Sequence, residues 1–272
     1  MRCSKTQESR IRSIGLWVYE SIRLLKHGLI DLLTYRPIDL FCVLCLVSTI
    51  TGCGEEAPFE SQDSVPIEAP GTLSALHFPT ADGCIWKYIS TDGDYAYTAR
   101  VAGTRNIGGF AAKIMENDSE VPVDYIASLY GVPICRSFFT KDLHFHTEHA
   151  FEFWLGTLDD TFFQRNSPKR VLWSFPLYVG KEWIVSKSRM VPEITYTRKV
   201  VSGNGVLTVP AGTFEGVYYV EEYASIAHLP SEEEMPSKFW LAPDVGVIKY
   251  EYMDYISMTT KAYELSDFKK GR

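Results

Sequence analysis

The sequence predicts a mainly β protein built on an antiparallel sheet. From residue 73 onward, short segments rich in Tyr, Val, Ile, Thr and Phe alternate with Gly, Pro, Asn and Asp, the pattern of strands separated by turns. Aromatic residues make up 14% of the 272 residues, and aromatic side chains favour strands. Helical signals in this part of the chain are few, and residues 122–130 are the best candidate, so at most one or two short helices are expected.

Nine segments are strand candidates, because each is short, rich in β-branched or aromatic residues and bounded by turn residues. They are residues 95–101, 110–115, 184–185, 194–201, 206–209, 214–224, 238–241, 247–253 and 257–264. Pro210 and Gly212 occupy the positions that a type I turn favours, which predicts a hairpin. The Pro-Asp-Val-Gly sequence at residues 243–246 predicts a second turn between strands.

Two stretches of the chain match each other, which indicates an internal repeat. Residues 78–86 read Phe-Pro-Thr-Ala-Asp-Gly-Cys-Ile-Trp and residues 175–183 read Phe-Pro-Leu-Tyr-Val-Gly-Lys-Glu-Trp, so Phe, Pro, Gly and Trp coincide. Glycine allows a tight turn, and Trp supplies a large buried surface at the start of a strand. We therefore expect one β domain over residues 71–267, with related halves at about 73–165 and 171–267.

The N-terminal fifth of the chain predicts export and a lipid anchor. Residues 40–51 carry no charge, and this length suits the hydrophobic region of a signal peptide but is too short for a transmembrane helix. The next residues, Ile-Thr-Gly-Cys at 50–53, resemble the bacterial lipobox, whose cysteine receives diacylglycerol. A short uncleaved anchor and a buried core segment are the alternatives.

The lipobox resemblance implies a definite processing and location. Residues 1–52 would be a signal peptide with a long N-terminal region, and Cys53 would carry the lipid. Residues 53–70 are acidic and rich in Pro without apolar periodicity, which predicts a flexible tether. Because Gly54 rather than Asp follows the cysteine, the resemblance implies the outer membrane, with the domain facing the periplasm or the cell surface.

Charge and cysteine usage fit an exported protein. The formal net charge is −7, which argues against nucleic acid as a partner, since phosphate binding needs a basic surface. Of the six cysteines, Cys84 and Cys135 alone fall within the predicted β domain. In an oxidising compartment they are candidates for a disulfide, and two buried free thiols are the alternative.

One dense group of titratable residues is a weak candidate for a metal site. His144 and His146 share a face if their segment is a strand, with Glu148 next on that face and His149 close by. A His-x-His pair without a fourth ligand at fixed spacing is a poor predictor of zinc binding, so we expect a solvated strand face and no cofactor.

The order of turn and packing residues over about 175–250 resembles a known group of proteins. Phe-Pro-Leu-x-x-Gly-x-x-Trp is followed by Val-Pro-Ala-Gly-Thr-Phe and by Trp-x-Ala-Pro-x-Val-Gly-x-Ile-Lys, as in bacterial exported lipoproteins similar to the DUF3108 proteins and, more distantly, the LolA- and LolB-like half-barrels. The resemblance implies a curved, half-barrel-like antiparallel sheet with a concave apolar face, and it implies no catalytic residue.

Three functions follow from this interpretation, and the first is favoured. The concave face would bind or carry an apolar or amphipathic ligand such as a lipid, with Tyr218, Val220 and Tyr252 as candidate lining residues. Alternatively, the protein is a non-catalytic structural or interaction subunit of an outer-membrane-associated complex. A metal-dependent enzyme that uses the three histidines is the third hypothesis. The sequence favours a protein that is not an enzyme and that meets the membrane through its lipid.

Overall fold

The computed structural model describes residues 72–124, 127–128, 132–154, 161–187, 193–226, 234–254 and 257–272. In these ranges the chain forms twelve strands and one short 3-10 turn, Ala75–His77. The strands are β1 (Ile85–Ser90), β2 (Ala96–Ile107), β3 (Phe110–Asn117), β4 (Ile134–Lys141), β5 (Phe145–Trp154), β6 (Thr161–Ser174), β7 (Glu182–Lys187), β8 (Ile194–Val209), β9 (Gly212–Ile226), β10 (Glu234–Ala242), β11 (Gly246–Asp254) and β12 (Thr259–Lys269). The predicted signal peptide and tether, with Cys53, lie outside the described residues.

All twelve strands belong to one antiparallel sheet, which confirms the predicted fold class. The order across the sheet is β6-β5-β4-β3-β2-β1-β12-β11-β10-β9-β8-β7. Two six-stranded meanders, β1 to β6 and β7 to β12, are therefore joined side by side through β1 and β12. In the part of the chain that the structure describes, no helix is long and apolar enough to cross a membrane.

The sheet curves until its two edge strands, β6 and β7, lie close together. The indole N–H of Trp183 in β7 donates to the carbonyl of Val171 in β6 at 3.1 Å. The guanidinium of Arg198 in β8 donates to the carbonyl of Leu172 in β6 at 2.5 Å. Side chains thus satisfy backbone acceptors on the edge of β6, where an unpaired strand would otherwise be exposed.

The two matching stretches of sequence form the same turn at the start of each meander. Gly83 has a φ of 81° and Gly180 a φ of 88°, left-handed values that favour glycine. Gly83 N donates to Val101 O at 2.9 Å, and Gly180 N donates to Val200 O at 2.8 Å. Each glycine thereby joins the approach to the first strand of its meander to the second strand.

The structure agrees with the predicted turns and adds strands that the pattern did not reveal. Residues 210–211 form the turn of the β8–β9 hairpin, and residues 243–245 connect β10 to β11. None of the nine predicted segments covers β1, β4, β5 or β6. Within β6 the sequence Ser-Pro-Lys-Arg at 167–170 is typical of a loop, but an edge strand tolerates proline because its free side needs no N–H donor.

Residues 122–130 are described only in part. Ala127 and Ser128 are helical, and the N–H of Ser128 donates to the carbonyl of Asp124 at 2.9 Å. The Asp124 carboxylate accepts a hydrogen bond from Ala127 N at 2.8 Å, as a residue that caps the first turn of a helix does. The neighbouring residues 125–126 and 129–131 lie outside the described part.

One end of the sheet is covered by the segment that precedes β1. Residues 72–84 cross this end, which we call the capped end. Leu73 and Leu177 form an antiparallel bridge, with N···O distances of 3.0 and 2.8 Å. The ammonium of Lys141 donates to the carbonyls of Ala75 at 2.8 Å and Phe78 at 2.7 Å. These bonds fix the segment across the strand ends, where its apolar side chains close the core.

The two cysteines of the domain are free, which corrects the disulfide prediction. Cys84 is buried just before β1, and Cys135 is half-buried in β4. Three strand-to-strand steps separate β1 from β4, and at about 4.8 Å per step the two backbones are about 14 Å apart. A disulfide requires Cα atoms within about 7 Å, so sheet order keeps these thiols from pairing.

Candidate functional site

A buried ion pair lies on the inner face of the second meander. Arg198 of β8 and Glu222 of β9 are cross-strand neighbours, and Arg198 Nε donates to Glu222 Oε2 at 2.7 Å. The two side chains are only 4% and 0% exposed. Removing two charges from water costs several kcal/mol per ion, so the pair must be held in good geometry to be tolerated.

Aromatic rings hold the guanidinium of Arg198 in place. Its carbon lies 4.4 Å from the ring centroid of Trp173 and 4.2 Å from that of Phe239. The two rings meet edge to face, with centroids 5.4 Å apart. A planar guanidinium suits such stacking, and the ring faces favour the positive charge where water is excluded. The pair thus ties β6, β8, β9 and β10 together.

His146 of β5 lies in the same interior region. Its ring packs against Phe139 at a centroid distance of 4.5 Å and Phe78 at 5.3 Å. Burial, together with the smaller effects of the positive charges of Lys141 and Arg198, lowers the pKa of His146 to about 3. The imidazole is therefore neutral, and its Nδ1 has no hydrogen-bond partner among the described residues.

The three candidate metal-ligating histidines do not converge. His144 lies in the turn between β4 and β5, whereas His146 points into the core. His149 Nε2 lies 2.9 Å from Thr140 Oγ1, and its ring stacks on Phe110 with centroids 4.8 Å apart. Register shifts between His146 and Thr147, and between Glu148 and Ala150, break the alternation of faces.

Glu148, the remaining member of that predicted ligand set, binds other side chains. Its carboxylate is buried and accepts a hydrogen bond from Arg170 at 2.6 Å and from Asn166 at 3.2 Å. Across the described ranges, no three His, Cys, Asp or Glu side chains are grouped so that they could hold a metal ion. The expected solvated strand face is instead largely buried.

The three candidate ligand-lining residues are buried in packed clusters, which corrects their assignment to an open face. Tyr218, Val220 and Tyr252 are 2%, 0% and 3% exposed. The Tyr218 ring lies so close to Gly203 that a Cβ there would be 2.9 Å from a ring carbon. The Tyr252 hydroxyl donates to the carbonyl of Pro122 at 2.8 Å. Covering segments and neighbouring strands thus close over all three.

A stack of tyrosines fills much of the remaining interior. It comprises Tyr88, Tyr97, Tyr250, Tyr252 and Tyr263. Tyr250 and Tyr263 are cross-strand neighbours with centroids 5.3 Å apart, and the hydroxyls of Tyr97 and Tyr250 are 2.7 Å apart. Burial raises the pKa of each phenol in the stack. These rings occupy space that an apolar ligand would need.

Two of the depressions on the described surface have charged residues in their linings. One of about 450 Å³ lies beside the start of β2, where Tyr95 and Tyr97 are accompanied by Lys87, Asp118 and Glu120. The other, of about 270 Å³, is on the outer face of β7 to β9 and is lined by Glu182, Thr197, Lys199, Tyr223 and Ser225. Charged side chains in both linings disfavour a long acyl chain.

Sequence reasoning missed the Arg198–Glu222 pair. Both residues lie in segments that were predicted as strands, but the residue types alone gave no reason to place charges on the inner face. The alternation of side chains along a strand did contain a signal. Arg198 is two residues from Val200, and Glu222 is two residues from Val220, so each charged residue shares a face with a buried valine.

Two solved bacterial structures are similar to part of the chain. A candidate lipoprotein from Parabacteroides distasonis is 12% identical, with a TM-score of 0.35, and the match covers 71% of this chain and 98% of that one. A candidate exported protein with a YmcC-like fold, from Bacteroides fragilis, is 15% identical, with a TM-score of 0.34 and coverage of 71% and 99%. No family model and no curated protein match the chain, so the DUF3108 resemblance stays a prediction.

The buried ion pair predicts strong coupling between its two members. Arg198→Met should lower the free energy of unfolding by about 3–5 kcal/mol, because Glu222 would stay buried without its partner. Arg198→Met with Glu222→Leu should recover most of that loss, since no unpaired charge remains. Urea unfolding measures the free energy of unfolding of the single and the double variant.

Lys199→Met is the matched control for that experiment. Lys199 is the next residue of β8, points to the outer face and pairs with Glu182 at 2.7 Å, where both side chains are exposed. Its loss should change the free energy of unfolding by about 0–1 kcal/mol. Equal effects of Arg198→Met and Lys199→Met would contradict the role assigned to the buried pair.

His146 predicts a specific loss of stability in mild acid. The pKa of His146 is about 3 in the folded chain against 6.5 for an ordinary histidine, so the unfolded chain binds more protons between these values. The contribution of neutral His146 to the free energy of unfolding is therefore complete above pH 6.5, and it decreases as the pH falls toward 3. Between about pH 8 and about pH 5, the folded chain should lose about 2 kcal/mol through this group.

His146→Gln should abolish that part of the pH dependence, whereas His144→Gln, in the β4–β5 turn, should retain it. Denaturant unfolding at the two pH values measures the difference. If His146→Gln loses as much stability in acid as the unmodified chain does, another group must be responsible.

Proposed function

We propose that this chain is a lipid-anchored protein of the bacterial cell envelope, and that its β domain is a non-catalytic interaction module. The uncharged run at 40–51 and the lipobox-like residues at 50–53 support the anchor. Gly54 after Cys53 favours the outer membrane. The domain then acts from the membrane surface through its exposed loops and faces.

The packed interior is the observation that favours an interaction module over a carrier. A carrier must keep an apolar cavity for its ligand, and such ligand sites typically measure about 300–1,000 Å³ and are mostly apolar. Here Tyr218, Val220 and Tyr252 are buried among neighbouring side chains. The larger surface depression, of about 450 Å³, has charged residues in its lining. The interior is therefore better suited to rigidity than to binding a lipid.

The outer face of the second meander pairs its own charges. Glu182, Lys199, Glu221, Lys238 and Glu251 are successive cross-strand neighbours from β7 to β11 and alternate in sign. Lys199 Nζ is 2.7 Å from Glu182, and Lys238 Nζ is 3.4 Å from Glu251. Opposite charges in this row stabilise each other by about 0.2–1 kcal/mol per pair. This face offers little net charge to a ligand, which favours contacts at the ends of the sheet.

The anchor predicts a change of location on substitution of one residue. Cys53→Ser should abolish incorporation of labelled palmitate and leave the protein unprocessed or released, because the acyl chains that hold it on the bilayer are missing. Metabolic labelling and membrane fractionation in a bacterial host measure both. Cys45→Ser, in the predicted leader, is the matched control and should behave like the unmodified protein. Processing and membrane association of Cys53→Ser like the control would contradict the anchor.

The filled interior predicts that the domain does not bind lipid. The compact unit from Glu68 to Arg272 should show no saturable binding of a fluorescent fatty-acid probe at micromolar concentration. A fluorescence titration against a known fatty-acid carrier provides the comparison. Saturable, displaceable binding that weakens when Val220 is replaced by Asp, without loss of fold, would favour the carrier function instead.

A further inference from the structure

Four large apolar side chains are exposed on three adjoining loops at the capped end of the sheet. Leu76 is 73% exposed, Val179 58%, and Leu143 and Tyr178 48% each. Single exposed apolar residues are common on protein surfaces, whereas several on adjoining loops mark a contact surface. We call these four side chains the apolar rim.

Hydrogen bonds hold the three loops that carry the apolar rim against one another. Lys141, two residues before Leu143, donates to the carbonyls of Ala75 and Phe78 on either side of Leu76. Phe175 N donates to His144 O at 2.6 Å, next to Leu143. Leu177, which precedes Tyr178, is bridged to Leu73. The three loops that carry the rim are therefore held next to one another by hydrogen bonds.

The chain enters the domain at this same end. Thr72 is the first described residue, and its neighbour Leu73 is bridged to Leu177, the residue before Tyr178. Eighteen residues, 54–71, separate Thr72 from Cys53. The flexible tether that the sequence predicts there would have an average end-to-end distance of about 23 Å, and such a tether would keep the point of entry close to a bilayer that holds Cys53.

We propose that the apolar rim rests on the phospholipid surface that carries the anchor, so that the capped end of the sheet faces the bilayer. This inference rests on the proposed lipid anchor. Leucine and valine side chains gain from entering the boundary between headgroups and acyl chains, and tyrosine is favoured at that level because its ring is apolar and its hydroxyl polar.

Charged groups near the rim are compatible with this contact. Lys181 Nζ donates to the carbonyl of Pro176 at 2.9 Å and lies 5.7 Å from the Tyr178 ring centroid. The Asp142 carboxylate accepts hydrogen bonds from the N–H groups of His144 and Phe145, at 2.7 Å each. These contacts lower the cost of bringing Lys181 and Asp142 to a surface that is poorer in water.

A depth measurement on the intact lipidated protein tests the proposal. Cys135→Ser removes the half-buried thiol, while Cys84 is fully buried and is kept. Val179→Cys or Leu143→Cys then places a fluorescent label on the rim, and Met258→Cys places one in the β11–β12 connection at the opposite end. Each protein is reconstituted into phosphatidylethanolamine vesicles with a minority of phosphatidylglycerol, some of whose lipids carry a nitroxide in the headgroup. Circular dichroism checks the fold of each variant.

We expect the labels at residues 179 and 143 to lose most of their fluorescence to the lipid nitroxide, and the label at 258 to retain it. If the protein floats with the vesicles but all three labels, or none, are quenched, the proposed orientation is wrong while the anchor stands. If rim labels are shielded from a water-soluble quencher but untouched by the nitroxide, a protein contact covers the rim and the proposal also fails. If the protein does not float with the vesicles at all, the anchor itself is wrong.

Discussion

Arg198 connects parts of the sheet that lie far apart in the chain. Its guanidinium bonds the carboxylate of Glu222 and the carbonyl of Leu172, and it lies between the rings of Trp173 and Phe239. The edge strands β6 and β7 are the two ends of the hydrogen-bonded order, so side chains must bring them together. A charge in this position restricts the packing around it, because any arrangement that separates the pair leaves an ion in an apolar interior.

That constraint is consistent with an interior that is filled and specific rather than adaptable. Aromatic rings pack against Arg198, against His146 and against one another in the tyrosine stack. The buried hydroxyls of Tyr88 and Tyr252 donate to backbone carbonyls. Close packing of this kind resists rearrangement, because displaced rings would lose contacts that no solvent can replace. A rigid sheet with a packed interior suits a module that acts through its surface.

The segment before β1 gives the two ends of the sheet different roles. It covers one end through the Leu73–Leu177 bridge and through Lys141, and it leaves Leu76 exposed beside Leu143, Tyr178 and Val179. The outer face of the second meander, in contrast, carries a row of charges that alternate in sign from β7 to β11. The four exposed apolar side chains thus lie at the end of the sheet where the described chain begins.

The sequence by itself determined the fold class, the turns and the repeated Phe-Pro…Gly…Trp pattern, because turn chemistry and β propensity are local. It did not reveal β6, whose Ser-Pro-Lys-Arg stretch is tolerated only because that strand lies at an edge. The tertiary structure decided which predicted site residues are accessible. Cys84 and Cys135 are kept apart by strand order, the histidines are separated by register shifts, and Tyr218, Val220 and Tyr252 are covered by neighbours. Each of these outcomes depends on which distant strands become neighbours, and a local pattern carries no information about that pairing.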